Sequence, residues 1–203
     1  MSISAQDRER ISAAIHAAVA KTSGEIVCVL AQASCDATAL PILVAALAAL
    51  ALPWLMVAST AMPVNRILLL QLVVFFALAA LLCLPRVRIA LVPRAARRAI
   101  AHRVAMEQFM IRGVGRKKDR TGILIFVSLA EHYARIIADQ GIATRVPQSQ
   151  WQGAVDALIA HTRSGHVADG FVAAIDRCAK VLEQHFPRSE SSHDELPDRI
   201  YVI

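Results

Sequence analysis

Two long apolar runs without charged side chains lie close together in the first half of the chain. The first covers Ala39 to Ala58, and the second covers Ile67 to Leu84 with Gln71 as its only strongly polar side chain. A helix of about 20 residues rises about 30 Å, the thickness of the hydrocarbon core of a bilayer. The alternative, a pair of buried helices in a soluble core, is disfavoured because such helices usually keep a polar face. The pattern predicts a transmembrane hairpin of antiparallel helices joined by Ser59 to Arg66, with Pro53 expected to kink or shorten the first helix.

Basic residues are concentrated directly after the second run. Residues 85–120 contain eleven Lys and Arg against two acids, and this block accounts for the net charge of +6. The link between the runs contains only Arg66. Because basic residues favour the cytoplasmic side, we predict that both chain ends are cytoplasmic and that the protein lies in a bacterial inner membrane.

Arginines of the basic block are predicted to contact a lipid bilayer with anionic headgroups. The predicted membrane-surface residues are Arg86, Arg88, Arg94, Arg97, Arg98 and Arg103. The alternative is an ordinary solvated helix face. Nucleic acid is not expected as a partner, because Phe109 is the only aromatic residue interleaved with the basic ones.

The cysteines and histidines show no pattern of a metal site or a disulfide framework. The four cysteines form no CxxC pair, and the histidines form no HExxH or paired spacing. We therefore expect free thiols in a reducing compartment. No serine lies in a nucleophile-elbow context, so no catalytic residue is predicted.

Outside the apolar runs, the sequence predicts an α/β domain with helices on both faces of a small mixed sheet. Strands are expected at Glu25–Ala31, Gly122–Ser128 and His132–Asp139, the last two as an antiparallel hairpin. One strand cannot bury both of its faces alone, so the first strand should meet the other two across the inserted apolar runs. The expected organisation is therefore residues 1–38 and 85–187 as one domain, with the hairpin 39–84 inserted.

Helices are expected on both sides of these strands. The first runs from Ser4 to Lys21 and begins with a capping-box-like pair, Ser4 and Asp7. Others are expected at Ala95–Ile111, from the candidate N-cap Ser149 to Gly165, and from about Val167 to Phe186. Residues 188–203 are expected to form a flexible polar linker and a tail, in which Arg199–Ile203 is either a last strand or a docking segment.

Four segments together resemble the TPM domain family. They are SGEIVCV at 23–29, DRTGILIFVS at 119–128, ARIIADQGI at 134–142 and GHVADGF at 165–171. The sequence is most similar to the bacterial subgroup in which a membrane hairpin interrupts the domain, and the family includes the plant thylakoid lumen protein of photosystem II repair. The resemblance implies a Rossmann-like α/β/α sandwich. It also implies roles in membrane-protein repair or assembly, and acid phosphatase activity or divalent-cation binding for some members.

The resemblance also suggests a metal site with two carboxylates. Asp119 occupies the place of the family's acid before the second strand, and the family's Gly-Tyr-Gly-Leu-Glu turn corresponds to Asp139–Ala143, with Ala143 in place of the glutamate. Asp119 and Asp139 are the candidate ligands for Ca²⁺ or Mg²⁺, which take oxygen ligands. The alternative is that both are solvated loop acids.

These observations predict a membrane-tethered TPM-like domain that acts as a non-catalytic interaction or membrane-protein quality-control module. A membrane protein is its expected partner. The alternative is a divalent-metal-assisted acid phosphatase, which is less favoured because the turn glutamate is missing.

Overall fold

The computed structural model describes residues 3–34, 39–60, 62–84, 87, 92–116, 119–188 and 196–203. The chain forms two compact units: residues 1–34 with 98–203, called the α/β unit, and residues 35–97, called the hairpin unit. The predictions for Arg86, Arg88 and the linker residues 189–195 concern residues outside the described ranges.

A four-stranded mixed sheet forms the centre of the α/β unit. Its strands are β1 (Glu25–Ala31), β2 (Gly122–Ser128), β3 (Tyr133–Ala138) and β4 (Ile200–Val202), in the order β3-β2-β1-β4. β1 pairs in parallel with β2 over seven residues and in parallel with β4, whereas β3 is antiparallel to β2. Every residue of β1 and β2 is buried, as expected for central strands that are covered on both faces.

Helices pack on both faces of this sheet. The helices in chain order are α1 (Ala5–Val19), α2 (Ala39–Ser59), α3 (Val64–Leu82), α4 (Arg94–Ile111), α5 (Gln140–Ala143), α6 (Gln152–Arg163) and α7 (Val167–His185). Apolar side chains of α1, α6 and α7 form the larger core on one face. On the other face α4 buries Ala101, Ala105 and Phe109, which recur every four residues on one side of the helix.

The structure confirms the predicted start of α1 and corrects that of α6. Ser4 and Asp7 form a complete capping box. Ser149, however, is not an N-cap, because it lies inside a 3₁₀ turn from Gln148 to Trp151 that precedes α6. Pro147 has the extended conformation that leads into this turn, and Trp151 at its end is completely buried.

Two short elements were not fully predicted. The family resemblance implies a turn at Asp139–Ala143, and Gln140–Ala143 forms the four-residue helix α5. Of the two alternatives for Arg199–Ile203, the structure shows the strand, since Ile200–Val202 pairs with β1.

In the hairpin unit, α2 and α3 pack against each other, with Ala45 and Ala49 buried. α2 continues through Pro53 to Ser59, so this proline does not end the helix. α3 begins at Val64, before the start of the apolar run at Ile67. Pro63 is its N-cap residue and has an extended conformation. Both helices are long and apolar enough to cross a bilayer, and only 17% and 6% of their most apolar windows are buried.

Candidate functional site

Both predicted metal-ligand acids lie at the edge of the sheet formed by the amino ends of β1 and β2. Asp139 follows β3 directly, and its backbone N–H donates to the carbonyl oxygen of Gly122 at 2.9 Å. Asp119 lies three residues before β2. A Cβ atom added to Gly141 would be 2.7 Å from the carbonyl oxygen of Asp119 and 2.6 Å from that of Arg120. The loop before β2 and the turn after β3 are therefore in close backbone contact.

The two carboxylates have different surroundings at this edge. Asp139 is 7% exposed, and its Oδ1 accepts a hydrogen bond from the backbone N–H of Gln140 at 2.7 Å, which caps α5. Its Oδ2 is buried and has no hydrogen-bond partner among the described residues. Asp119 is exposed. A buried carboxylate oxygen without a partner is costly, so a cation or a donor near Oδ2 of Asp139 would stabilise this edge.

Glu25 belongs to the same edge and was not predicted as a site residue. It opens β1, is 2% exposed and lies opposite Gly122 in the β1–β2 register. Because Ala138 pairs with Ile123, Asp139 lies in the same row on the other side of Gly122. Residues in one row of a sheet project to the same face, so Glu25 and Asp139 share a face. The signal in the sequence is a carboxylate at the start of a strand whose other residues, 26–31, are all apolar.

The described residues do not complete a Ca²⁺ or Mg²⁺ site by themselves. They contain no group of three or more His, Cys, Asp or Glu side chains placed to hold a metal ion. Ca²⁺ takes about six to eight oxygen ligands and Mg²⁺ about six. No catalytic step through a metal is therefore derived from this edge.

A hydrogen-bonded cluster, the Ser34–Ser128–Glu131 clamp, lies at the opposite edge of the same strands. The backbone N–H of Ser34 donates to Oε2 of Glu131 at 3.0 Å, and the Ser34 hydroxyl donates to Oγ of Ser128 at 2.8 Å. The Ser128 hydroxyl in turn donates to the same Glu131 oxygen. Ser128 is completely buried, and its hydroxyl both accepts and donates a hydrogen bond within the clamp. The clamp fixes the last residue of the chain before it leaves the α/β unit.

The described arginines of the predicted membrane-surface set lie on α4. Arg94, Arg98 and Arg103 are exposed, and Arg97 is half-buried. At about 100° per residue, the first three arginines of the helix share one face, and Arg103 lies on roughly the opposite face. The set is therefore divided between two sides of α4.

The described cysteines are free thiols, and two of them lie in the larger core. Burial raises the pKa of Cys178 to about 12. The pKa of Cys28 is also raised well above its usual value, first by burial and second by the charge of Cys178. Both groups are therefore neutral thiols at physiological pH, and neither is a reactive thiolate.

The fold and the residues of its edges define a mixed α/β domain with a four-stranded sheet and largely helical surroundings. Residues 85–181 match the model of the TPM domain family, so this part of the chain is a TPM domain and the resemblance seen in the sequence is confirmed. The NMR structure of the BA42 protein from the psychrophilic bacteria Bizionia argentinensis sp. nov. is similar, with a TM-score of 0.62 and 19% sequence identity over 100% of this chain and 97% of that chain. At this identity the likeness concerns the fold alone. No curated protein sequence matches this chain.

Proposed function

We propose that this protein is a membrane-tethered TPM module that binds other membrane proteins at the cytoplasmic face of the bacterial inner membrane. It would serve their assembly or quality control without catalysing a reaction. The observation that carries the proposal is the position of α2 and α3 in the chain, between the paired strands β1 and β2. Their surfaces expose large apolar side chains, such as Trp54 at 83% and Leu69 at 67%, which are stable in lipid and prone to aggregate in water.

The attachment of the hairpin at two points supports work close to a membrane. The chain leaves the α/β unit after Ser34, which the Ser34–Ser128–Glu131 clamp holds. It returns through α4, whose Ala101 and Ala105 pack on the sheet. The chain therefore leaves and re-enters one domain at two points, and such a double tether would keep the domain close to the bilayer. Arginines near the start of α4 would add attraction to anionic headgroups, worth about 1 kcal/mol each near the surface.

The test is capture of partners from native membranes. The tagged full chain is purified from detergent-solubilised membranes after chemical cross-linking, and co-purified proteins are identified by mass spectrometry. The matched control is an unrelated two-helix membrane protein with the same tag and expression level. The proposal expects one or a few membrane proteins that are enriched reproducibly over this control. Absence of any enriched protein would contradict it.

A second candidate function is a divalent-metal-assisted acid phosphatase that uses Ca²⁺ or Mg²⁺. It is favoured by one observation, the buried Oδ2 of Asp139 that lacks a described hydrogen-bond partner. Asp119 and Asp139 would be the ligands, since hard cations take carboxylate oxygens.

This candidate is tested by phosphatase assay and by thermal shift with millimolar Ca²⁺ or Mg²⁺. Asp139→Asn removes the charge and keeps a side chain that caps helices well, so the fold should survive. Asp119→Asn removes the charge of the second, exposed candidate ligand. Asp156→Asn on α6 is the matched control. The candidate requires that activity and the metal-induced shift are lost in the first two variants and kept in the third. A wild-type protein that shows neither activity nor a metal-induced shift excludes it.

A further inference from the structure

The outer edge of β4 is open in the described part of the α/β unit. β4 is the last strand of the sheet order. The residue after it, Ile203, directs both of its backbone groups towards the β1 side. Its N–H donates to the carbonyl oxygen of Leu30 at 2.9 Å, and its carbonyl oxygen accepts from the N–H of Gln32 at 3.0 Å. Backbone groups alternate in direction along a strand, so those of Ile200 and Val202 point away from β1. An open edge of this kind is a template for a further strand.

A groove of about 430 Å³ runs along this edge, and we call it the β4 groove. Its lining residues are Arg8, Ser12, Arg112, Arg199, Ile200, Tyr201 and Val202. Arg8 comes from α1 on one face of the sheet, and Arg112 directly follows α4 on the other face. The groove therefore places a positive side chain on each side of the open strand.

The charge in the β4 groove is gathered and has no described counter-charge. The guanidinium carbon of Arg112 lies 3.9 Å from the centroid of the Tyr201 ring, and that of Arg199 lies 4.8 Å from it. Among the described residues, those that line the groove include no acid, and its three arginines form no ion pair. Like charges held this close favour an anionic occupant.

The positive charge and the open backbone groups together limit which kind of molecule can occupy the β4 groove. A second copy of this chain would bring three more arginines to the same edge, and like charges would oppose that pairing. A small free anion would neutralise the arginines but would leave the backbone groups of Ile200 and Val202 without strand partners. An extended peptide with acidic side chains satisfies both requirements, because alternate residues of a strand project to opposite faces.

We propose that the β4 groove binds an acidic, extended segment of a partner protein, which adds to the sheet as a strand beside β4. This inference rests on the proposed interaction function and names the chemistry of the partner. Backbone groups of Ile200 and Val202 pair with the segment, and its carboxylates meet Arg112 and Arg199 on one face and Arg8 on the other.

The test uses the full chain in detergent and a fluorescent probe peptide of repeated Glu-Glu-Val units, which as a strand projects carboxylates to both faces. Fluorescence anisotropy measures its Kd for the wild type, for the double variant Arg112→Gln with Arg199→Gln, and for Arg163→Gln. Arg163 is an exposed arginine at the end of α6, outside the groove, and serves as the charge-matched control. We expect binding at least tenfold weaker in the double variant and changed less than twofold in the control. Equal affinity for all three chains overturns the proposal.

Further arms separate strand addition from simple attraction of charge. The same peptide methylated at every backbone nitrogen keeps its charge but cannot donate to β4, and it is expected to bind at least tenfold more weakly. Equal binding of the methylated peptide, or equal affinity of tripolyphosphate at the same ionic strength, overturns strand addition. The chain's own acids before β4 are tested by the triple variant Glu190→Gln, Asp194→Asn and Glu195→Gln. Peptide binding that appears only in this variant overturns the assignment to a partner protein.

The groove proposal and the proposed function can fail separately in the partner-capture experiment. If the wild type and the Arg112→Gln, Arg199→Gln chain capture the same membrane protein equally, the groove proposal fails and the proposed function stands. If the wild type captures no protein at all, the proposed function fails whatever the peptide result.

Discussion

Gly141 allows the turn after β3 to lie directly against the loop before β2. A Cβ atom at this position would approach the carbonyl oxygens of Asp119 and Arg120 to 2.7 and 2.6 Å, and backbone cannot move aside as a flexible side chain can. We expect Gly141→Ala to destabilise the protein by about 1–3 kcal/mol, the usual cost of overpacking. Thermal denaturation of the detergent-purified chain measures the change as a loss of several degrees in Tm.

Gly153→Ala on α6 is the matched control for this prediction. Its new Cβ atom would meet only the end of the Arg177 side chain, at 3.3 Å, and alanine is the better helix former by up to about 1 kcal/mol. The Tm of this variant should rise or stay unchanged. An equal loss in both variants would show that the contact at Gly141 has no special cost.

Cys178 should make the stability of the protein depend on alkaline pH. In the unfolded chain its thiol ionises near 9.0, and in the folded chain its pKa is about 12, so only the unfolded state gains charge between these values. The stabilisation is complete below pH 9 and is lost as the pH rises towards 12, by about 1.4 kcal/mol per pH unit. Chemical denaturation at pH 8 and pH 10 should show a smaller fall for Cys178→Ala than for the wild type. An equal fall in the free energy of unfolding for the two chains would contradict this role of Cys178.

Site residues differ in how far the sequence alone could place them. The family resemblance suggests Asp119 and Asp139 as a pair of ligands, and both lie at the edge where β2 begins. The sequence indicates Glu25 only as the first residue of a strand. Its place in the site is not predictable locally, because its neighbours Gly122 and Asp139 are far away in the sequence. The contact between Ser34 and Glu131 is likewise nonlocal, and no local pattern indicates it.

At the scale of elements, long periodic segments were predictable and short ones were not. The helices α1 and α7 and the strand β1 follow clear apolar patterns, whereas α5 has only four residues and β4 only three. Such short elements exist because tertiary contacts hold them: α5 lies through Gly141 against the backbone of Asp119 and Arg120, and β4 pairs with β1. The 3₁₀ turn before α6 has the same cause, since it brings Trp151 into the core.

The contact between α2 and α3 depends on small side chains. Ala49 is 3% exposed, and Ala51, two residues further on, is exposed. Small residues allow close approach of membrane helices, so we expect Ala49→Leu to separate α2 from α3 and Ala51→Leu to have little effect. Hydrogen exchange of the α2 and α3 amides in detergent micelles, measured by mass spectrometry, should be faster in the first variant. Equal exchange in both variants would contradict this packing.

For the whole molecule, the order of the elements constrains the topology in a membrane. β1 ends before residues 39–84 and β2 begins after them, yet the two strands are parallel neighbours in one sheet. A parallel pair needs a long crossover connection, and here that connection contains α2, α3 and α4. Since β1 and β2 must lie on the same side of a bilayer, α2 and α3 can cross it only as a pair. If they cross, the α/β unit and both chain ends lie on one side, and from the basic residues around the start of α4 we expect that side to be the cytoplasm.

Reporter fusions test this topology directly. We expect green fluorescent protein to be fluorescent, and alkaline phosphatase to be inactive, when fused before Met1 or after Ile203. The same reporters inserted in the turn at Thr60 should give the reverse result, because this turn would face the periplasm. The insertion is the internal control, since it reports on the same chain from the opposite side. Alkaline phosphatase that is active at either chain end and inactive in the turn would invert the topology and place the α/β unit in the periplasm. Activity of the alkaline phosphatase reporter at one chain end only would mean an odd number of crossings. That result would contradict the topology, because β1 and β2 pair in one sheet.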